Sequence, residues 1–172
     1  MVKTDTYLPG RMKGYIRDSV FLYFSNCKSV LTLPNLYFDL EKKFLDKGIN
    51  IECVEYKNDT FKNMQQIVPK GIKLYNQDVK NLDLSKYDGM FLDFCGTFND
   101  SAEVVLKKIK PKTKIAITFL MSRESKRLQK KINIKNRRIS YIVLFEKYNI
   151  IIDYFMDYND ITPMCVFFGY KT

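Results

Sequence analysis

Two carboxylates stand where chemistry at the edge of a sheet would need them. Asp93 follows the apolar run Gly89-Met90-Phe91-Leu92 and precedes Phe94, Cys95 and Gly96. A run of that kind, entered from charged Lys86 and Asp88, reads as a strand buried on both faces of a parallel sheet. Open α/β sheets bind their ligands outside the carboxyl ends of the strands. A carboxylate there can orient an acceptor or take its proton. An adjacent aromatic can stack on a planar acceptor such as an unpaired base. The same Asp could instead cap the helix that follows. Cys95 reads as a packing thiol, because no group near it in sequence would activate it. Glu55 ends a second strand candidate, 50–56, and lies 26 residues after Ser29. At that point of a β-α-β unit a carboxylate accepts both hydroxyls of a ribose. The other reading of Glu55 is a solvent-facing strand-end acid.

Composition removes whole classes of chemistry. The chain has no His, which excludes His-based general-base catalysis, His-activated nucleophiles and His-ligated metals. Its four Cys lie far apart with no CxxC pair, so they read as reduced thiols rather than a disulfide frame or a zinc site. No apolar run is long enough to span a membrane, and the first residues are too polar for a signal peptide. The expectation is a soluble, cytoplasmic protein with no metal and no membrane partner. Nothing in the sequence reports its oligomeric state.

The formal charge of +10 is concentrated. Residues 123–138 carry eight Lys or Arg against a single acid, Glu124, and so hold +7 of it. A local excess of this kind is the footprint of a phosphate backbone or another acidic surface. It is equally what a solvated helix face looks like. Arg123, Lys126, Arg127, Lys130 and Lys131 are the candidate nucleic-acid contacts, joined by Arg11 and Lys13 from the first helix.

The elements that must position these residues alternate. Apolar residues at helical spacing predict a helix over 11–24, closed by Ser25-Asn26. Strand 29–33 follows, then a helix over 36–47 with Gly48 just past its end. Strand 50–56, helix 58–68 (capped by Asn58 or Asp59), strand 72–75, strand 89–93, helix 99–109 (capped by Asn99 or Asp100) and strand 113–120 come next. The basic stretch runs into a helix over 139–148. Two β-rich runs, 151–156 and 164–170, are separated by Asp157-Tyr158-Asn159-Asp160 and Pro163, so they read as an antiparallel pair. No linker or repeat divides the 172 residues, which predicts one domain: an N-terminal arm and helix over 1–28 and a Rossmann-like core over 29–172. The fold class is α/β, a three-layer sandwich around a mostly parallel seven-stranded sheet that ends in an antiparallel β-hairpin.

A parallel sheet with that ending resembles the class I S-adenosylmethionine-dependent methyltransferases over nearly the whole chain. The resemblance implies S-adenosylmethionine as cofactor. It puts Thr32, Leu33, Pro34 and Asn35 at the first loop, which holds the methionine part. It puts Glu55 and Tyr56 at the ribose, and Asn76, Gln77 and Asp78 at the adenine. It puts Asp93, Phe94, Cys95 and Gly96 at the motif that faces the methyl group and the acceptor. Two departures stand out. The stretch LTLPNLYFDLE has none of the glycines that let the cofactor lie against the turn. DFCG keeps an Asp but lacks the prolines found in enzymes that methylate base nitrogens. Three functions follow: a methyltransferase acting on nucleic acid, a methyltransferase-like domain without activity that binds nucleic acid or protein, or a methyltransferase acting on a protein or a small molecule.

Overall fold

The sheet grows outward in both directions from β1 (Ser29–Thr32), whose Val30, Leu31 and Thr32 are wholly buried. The computed structural model describes residues 9–172 except 95, 123–125, 133, 135, 160 and 161. For 9–12, 126, 127 and 129 it describes the backbone alone.

Ahead of β1 lies α1 (Pro9–Tyr23). After it come α2 (Asp39–Asp46), β2 (Asn50–Glu55), α3 (Asn58–Ile67), β3 (Lys73–Asn76) and a short 3-10 turn at Val79–Asn81. β4 (Gly89–Asp93), α4 (Asp100–Lys108), β5 (Lys114–Leu120), α5 (Lys126–Lys131), α6 (Arg137–Lys147), β6 (Ile150–Asn159) and β7 (Pro163–Lys171) complete the described elements. The seven strands run in the order β3-β2-β1-β4-β5-β7-β6. The first five are parallel, and β7 is antiparallel to both β5 and β6. This is the three-layer α/β sandwich with a closing antiparallel hairpin that the alternation of elements predicts.

Side chains alternate across each strand, so every strand feeds two cores. Val30, Ile51, Phe91, Ala116 and Phe168 pack with Ile16 and Val20 of α1, Phe24 just after it, Leu40 and Phe44 of α2 and Met64 of α3. Leu31, Met90, Leu92, Ile117 and Phe167 pack on the other face with Val105 and Leu106 of α4 and Tyr141, Leu144 and Phe145 of α6. Complete burial of each large side chain stabilises the fold by about 1.5–3 kcal/mol. Gly89 lets the turn after α1 approach: a Cβ there would stand 3.1 Å from Cys27 Sγ and 3.1 Å from the Phe24 ring.

Four local readings need correction. Helix α2 starts at Asp39 instead of 36, because a turn built on Asn35 and a left-handed Phe38 (φ 55°) occupies 35–38. Helix α3 is preceded by Lys57, and neither Asn58 nor Asp59 caps it. Strand β6 runs on through Asp157, Tyr158 and Asn159, where a turn was expected, since Tyr158 pairs with Met164. The basic stretch contains a helix of its own, α5.

Candidate functional site

A cavity of about 550 Å³ opens over the carboxyl ends of β1, β2 and β4. Its walls include Leu33, Pro34 and Asn35 after β1, Glu55 and Tyr56 at β2, Gln77 and Asp78 after β3, and Asp93 and Phe94 at β4. Strand register fixes how the two acids meet. Thr32 pairs with Cys53 on one side and with Phe91 on the other. Glu55 and Asp93 each lie two residues further on. They are therefore level, on one face of the sheet, about two strand spacings or roughly 10 Å apart.

Each tip is held differently. Glu55 Oε1 accepts the Lys57 N–H at 2.7 Å, while Tyr56 is largely exposed at the mouth. Asp78 accepts the Lys80 N–H at 3.1 Å and the Ser101 hydroxyl, and Lys80 Nζ lies 3.3 Å away. Burial pushes the Asp78 carboxyl up, but the Ser101 and Lys80 contacts outweigh it and leave it below the usual carboxylate range. Asp93 Oδ1 accepts from the buried Thr118 hydroxyl of β5. The capping role considered for Asp93 is taken by Asn99, whose Oδ1 accepts the Ala102 N–H at 2.9 Å. Phe94 is backed by aromatics: its ring lies 11° from parallel to Phe119 at 6.0 Å, and Phe119 stacks on Tyr141 at 4.5 Å. Cys95 lies outside the described residues.

Comparison with solved structures gives the architecture its context. The N-methyltransferase NodS of Bradyrhizobium japonicum superposes with a TM-score of 0.66 at 8% identity, over 98% of this chain and 99% of that one. This chain has the class I S-adenosylmethionine-dependent methyltransferase fold. Magnesium protoporphyrin IX methyltransferase of Synechocystis, solved with S-adenosylhomocysteine bound, gives 0.66 at 10% identity over 93% and 84% of the two chains. The B. subtilis tRNA methyltransferase TrmK gives 0.65 at 10% identity over 91% and 65%. In sequence, no protein-family model and no curated protein matches the chain.

The turn that follows β1 is built without glycine. Leu33 N–H donates to Phe91 O at 3.1 Å and extends the β1–β4 ladder by one residue. Asn35 Oδ1 then accepts the Tyr37 N–H at 2.8 Å, so a side chain makes the turn. Phe38 takes the positive φ that glycine would normally supply. That conformation costs on the order of 1 kcal/mol, offset by the complete burial of the Phe38 ring.

The sequence reading missed Glu41, on the first turn of α2. It lines the cavity and is 1% exposed. Its Oε2 has no hydrogen-bond partner among the described residues. Burial pushes this carboxyl up against the pull of the Thr32 hydroxyl, its own backbone N–H and Arg17. A signal was present. Glu41 stands three residues before Phe44 and four before Leu45, in the helix's apolar stripe, and a carboxylate there has a functional reason or none. Ile16, Arg17, Phe91 and Tyr158 also line the cavity and were not foreseen as site residues.

Other foreseen residues stand apart from the cavity. Asn76 does not line it and donates instead to Asn58 Oδ1. Of the basic set, Lys13 reaches the cavity wall. Lys130 is exposed on α5, and Lys131 Nζ donates to the buried Glu103 of α4 at 3.0 Å. Beyond α5, Arg137 donates to Met121 O and Arg138 chelates Asp157 at 3.0 Å. Three of these charges, Lys131, Arg137 and Arg138, thus tie α5 and α6 to α4, to the end of β5 and to β6. Arg123 lies outside the described residues, as do the side chains of Arg11, Lys126 and Arg127. Among the described residues no group of three His, Cys, Asp or Glu could hold a metal, and no helix is long and apolar enough to cross a membrane.

Proposed function

We propose that the cavity binds S-adenosylmethionine and that the protein transfers its methyl group to a nucleic acid. The observation that carries this reading is the convergence of the β1 loop, Glu55, Asp78, Asp93 and Phe94 on one cavity at the carboxyl edge of the sheet. The residues suit that cofactor. Glu55 can accept two ribose hydroxyls, and Gln77 and Asp78 offer polar partners to an adenine. Four lining carboxylates, Glu41, Glu55, Asp78 and Asp93, match a ligand that is cationic at sulfur. Cofactor-bound relatives of the same fold, such as the Synechocystis enzyme, support the assignment.

The cofactor, when bound, supplies a methyl group already activated on a sulfonium. The chain's own contribution is positional. Asp93, oriented by Thr118, holds the acceptor or takes its proton. Phe94, stiffened by the Phe119–Tyr141 stack, offers a flat wall to a planar acceptor. The nucleic-acid acceptor is supported by the +10 charge and by the exposed Lys13 and Lys130. It is also supported by the tRNA methyltransferase with the same fold.

Isothermal titration with S-adenosylhomocysteine tests the reading. A saturable one-to-one heat is the expected result. Absence of heat, with nucleic-acid binding retained, would select the alternative of an inactive binding module built on this fold, which the glycine-free first loop favours.

A further inference from the structure

The orphaned carboxylate beneath the first loop has a ligand chemistry of its own. Glu41 is 1% exposed, lines the cavity, and leaves Oε2 without a partner among the described residues. An unpartnered buried carboxylate oxygen is destabilising, so its retention calls for a group that arrives from outside. Its neighbours narrow what that group can be. The Thr32 hydroxyl of β1 and the Arg17 guanidinium of α1 both favour the charged form of the carboxyl, Cys53 of β2 lies beside Thr32 at 3.3 Å, and Arg17 is engaged with Asp39 at 3.0 Å. A carboxylate is an acceptor only, so the missing partner is a donor, and burial favours a cationic one.

Strand order then says where along a ligand that donor lies. Across the sheet the order is β3, β2, β1, β4. With a ribose on Glu55 at β2 and the base directed to Asp78 beyond β3, the remaining arm of the ligand must cross β1. Glu41 faces the cavity from α2, which leads out of β1. Resting on the cofactor reading above, we propose that Glu41 is the site for the primary ammonium of the ligand's amino-acid arm. Arg17, on the same wall, supplies the opposite charge for that arm's carboxylate. This role falls to a helix residue because the β1 tip itself carries Thr32, which has no charge to offer.

Three ligands separate the outcomes: S-adenosylhomocysteine, its deaminated analogue, and 5′-methylthioadenosine, which lacks the whole arm. Wild-type protein should bind S-adenosylhomocysteine about tenfold or more tighter than the deaminated analogue, the loss expected when one charge-assisted bond is removed. Glu41→Gln should erase that preference while leaving 5′-methylthioadenosine affinity unchanged. The variant should also melt at or above the wild-type temperature, because a buried acid whose charged form burial disfavours is replaced by a neutral amide. Equal wild-type affinity for the aminated and deaminated ligands overturns the assignment without any variant. So does a Glu41→Gln protein that keeps the preference, or one that melts lower and loses all three ligands together. If wild type binds none of the three, the cofactor reading itself fails and this inference with it. Binding of 5′-methylthioadenosine with no preference among the arms sinks the Glu41 role alone.

Discussion

Thr118 lies directly opposite Asp93 on the neighbouring strand, and its buried hydroxyl donates to Asp93 Oδ1. One carboxylate oxygen is thereby fixed from behind.

The first prediction follows from that bond. Thr118→Val keeps the side-chain shape but removes the donor. If the proposed nucleic-acid acceptor is right, cofactor affinity should stay within about twofold, while transfer of labelled methyl to nucleic acid should fall about tenfold or more, as misplaced catalytic groups typically do. Equal loss of both would assign Asp93 to cofactor binding instead.

Glu55→Ala should weaken S-adenosylhomocysteine binding by about 100-fold. Two charge-assisted hydrogen bonds of about 1.5 kcal/mol each are removed. In the free protein Glu55 accepts the Lys57 N–H, so melting should drop by only a few degrees. Titration calorimetry beside a thermal melt reads both, and unaltered affinity would remove the ribose role.

Lys130 and Lys131 are neighbours with different fates. On the proposed nucleic-acid reading, Lys130→Glu should weaken nucleic-acid binding and lower the slope of log K against log salt by about 1, with no change in melting temperature. Lys131→Glu should also destabilise the fold, because it places a second acid beside buried Glu103. Filter binding across a salt series, paired with melts, distinguishes them. An unaltered salt slope in both variants would make the stretch purely structural.

Glu52 governs acid stability. It is 3% exposed on β2 and accepts from Lys86 Nζ at 2.6 Å and from the Tyr87 hydroxyl. Burial pushes its carboxyl up, but Lys86 and Tyr87 prevail and hold it below the usual range. Its contribution is therefore complete above the unfolded carboxylate value, near about 4.3, and is lost as pH falls through the lower folded value. Glu52→Gln should cost about 1–3 kcal/mol at pH 7. The gap to wild type should narrow as pH falls below the ordinary carboxylate range in urea melts. A gap constant from pH 7 to pH 2 would mean the carboxylate's charge contributes nothing.

How much of this was readable from residues alone depended on whether the deciding partner was near in sequence. Glu55 and Asp93 were legible because a strand's end can be read from where its apolar run stops. The start of α2 was not. Asn35's side chain and the backbone of Phe38 make that turn, and Phe38 tolerates its conformation only because distant core residues enclose the ring. The basic stretch reads the same whether its charges are spent or exposed. Glu103 lies 28 residues from Lys131 and Asp157 lies 19 from Arg138, so no local pattern announces either pair. Glu41 falls between these cases: its place in an apolar stripe was visible, but its orphaned oxygen was not.

The hairpin's insertion order has a consequence during synthesis. β7 is the last described strand to leave the ribosome, yet it lies between β5 and β6. Until residues 163–171 emerge, β5 presents an unpaired edge carrying Ile115, Ile117 and Phe119. Open edges of that kind recruit other chains. A chain truncated before residue 163 should therefore aggregate or be held by chaperones, whereas the chain that carries residues 163–171 should not.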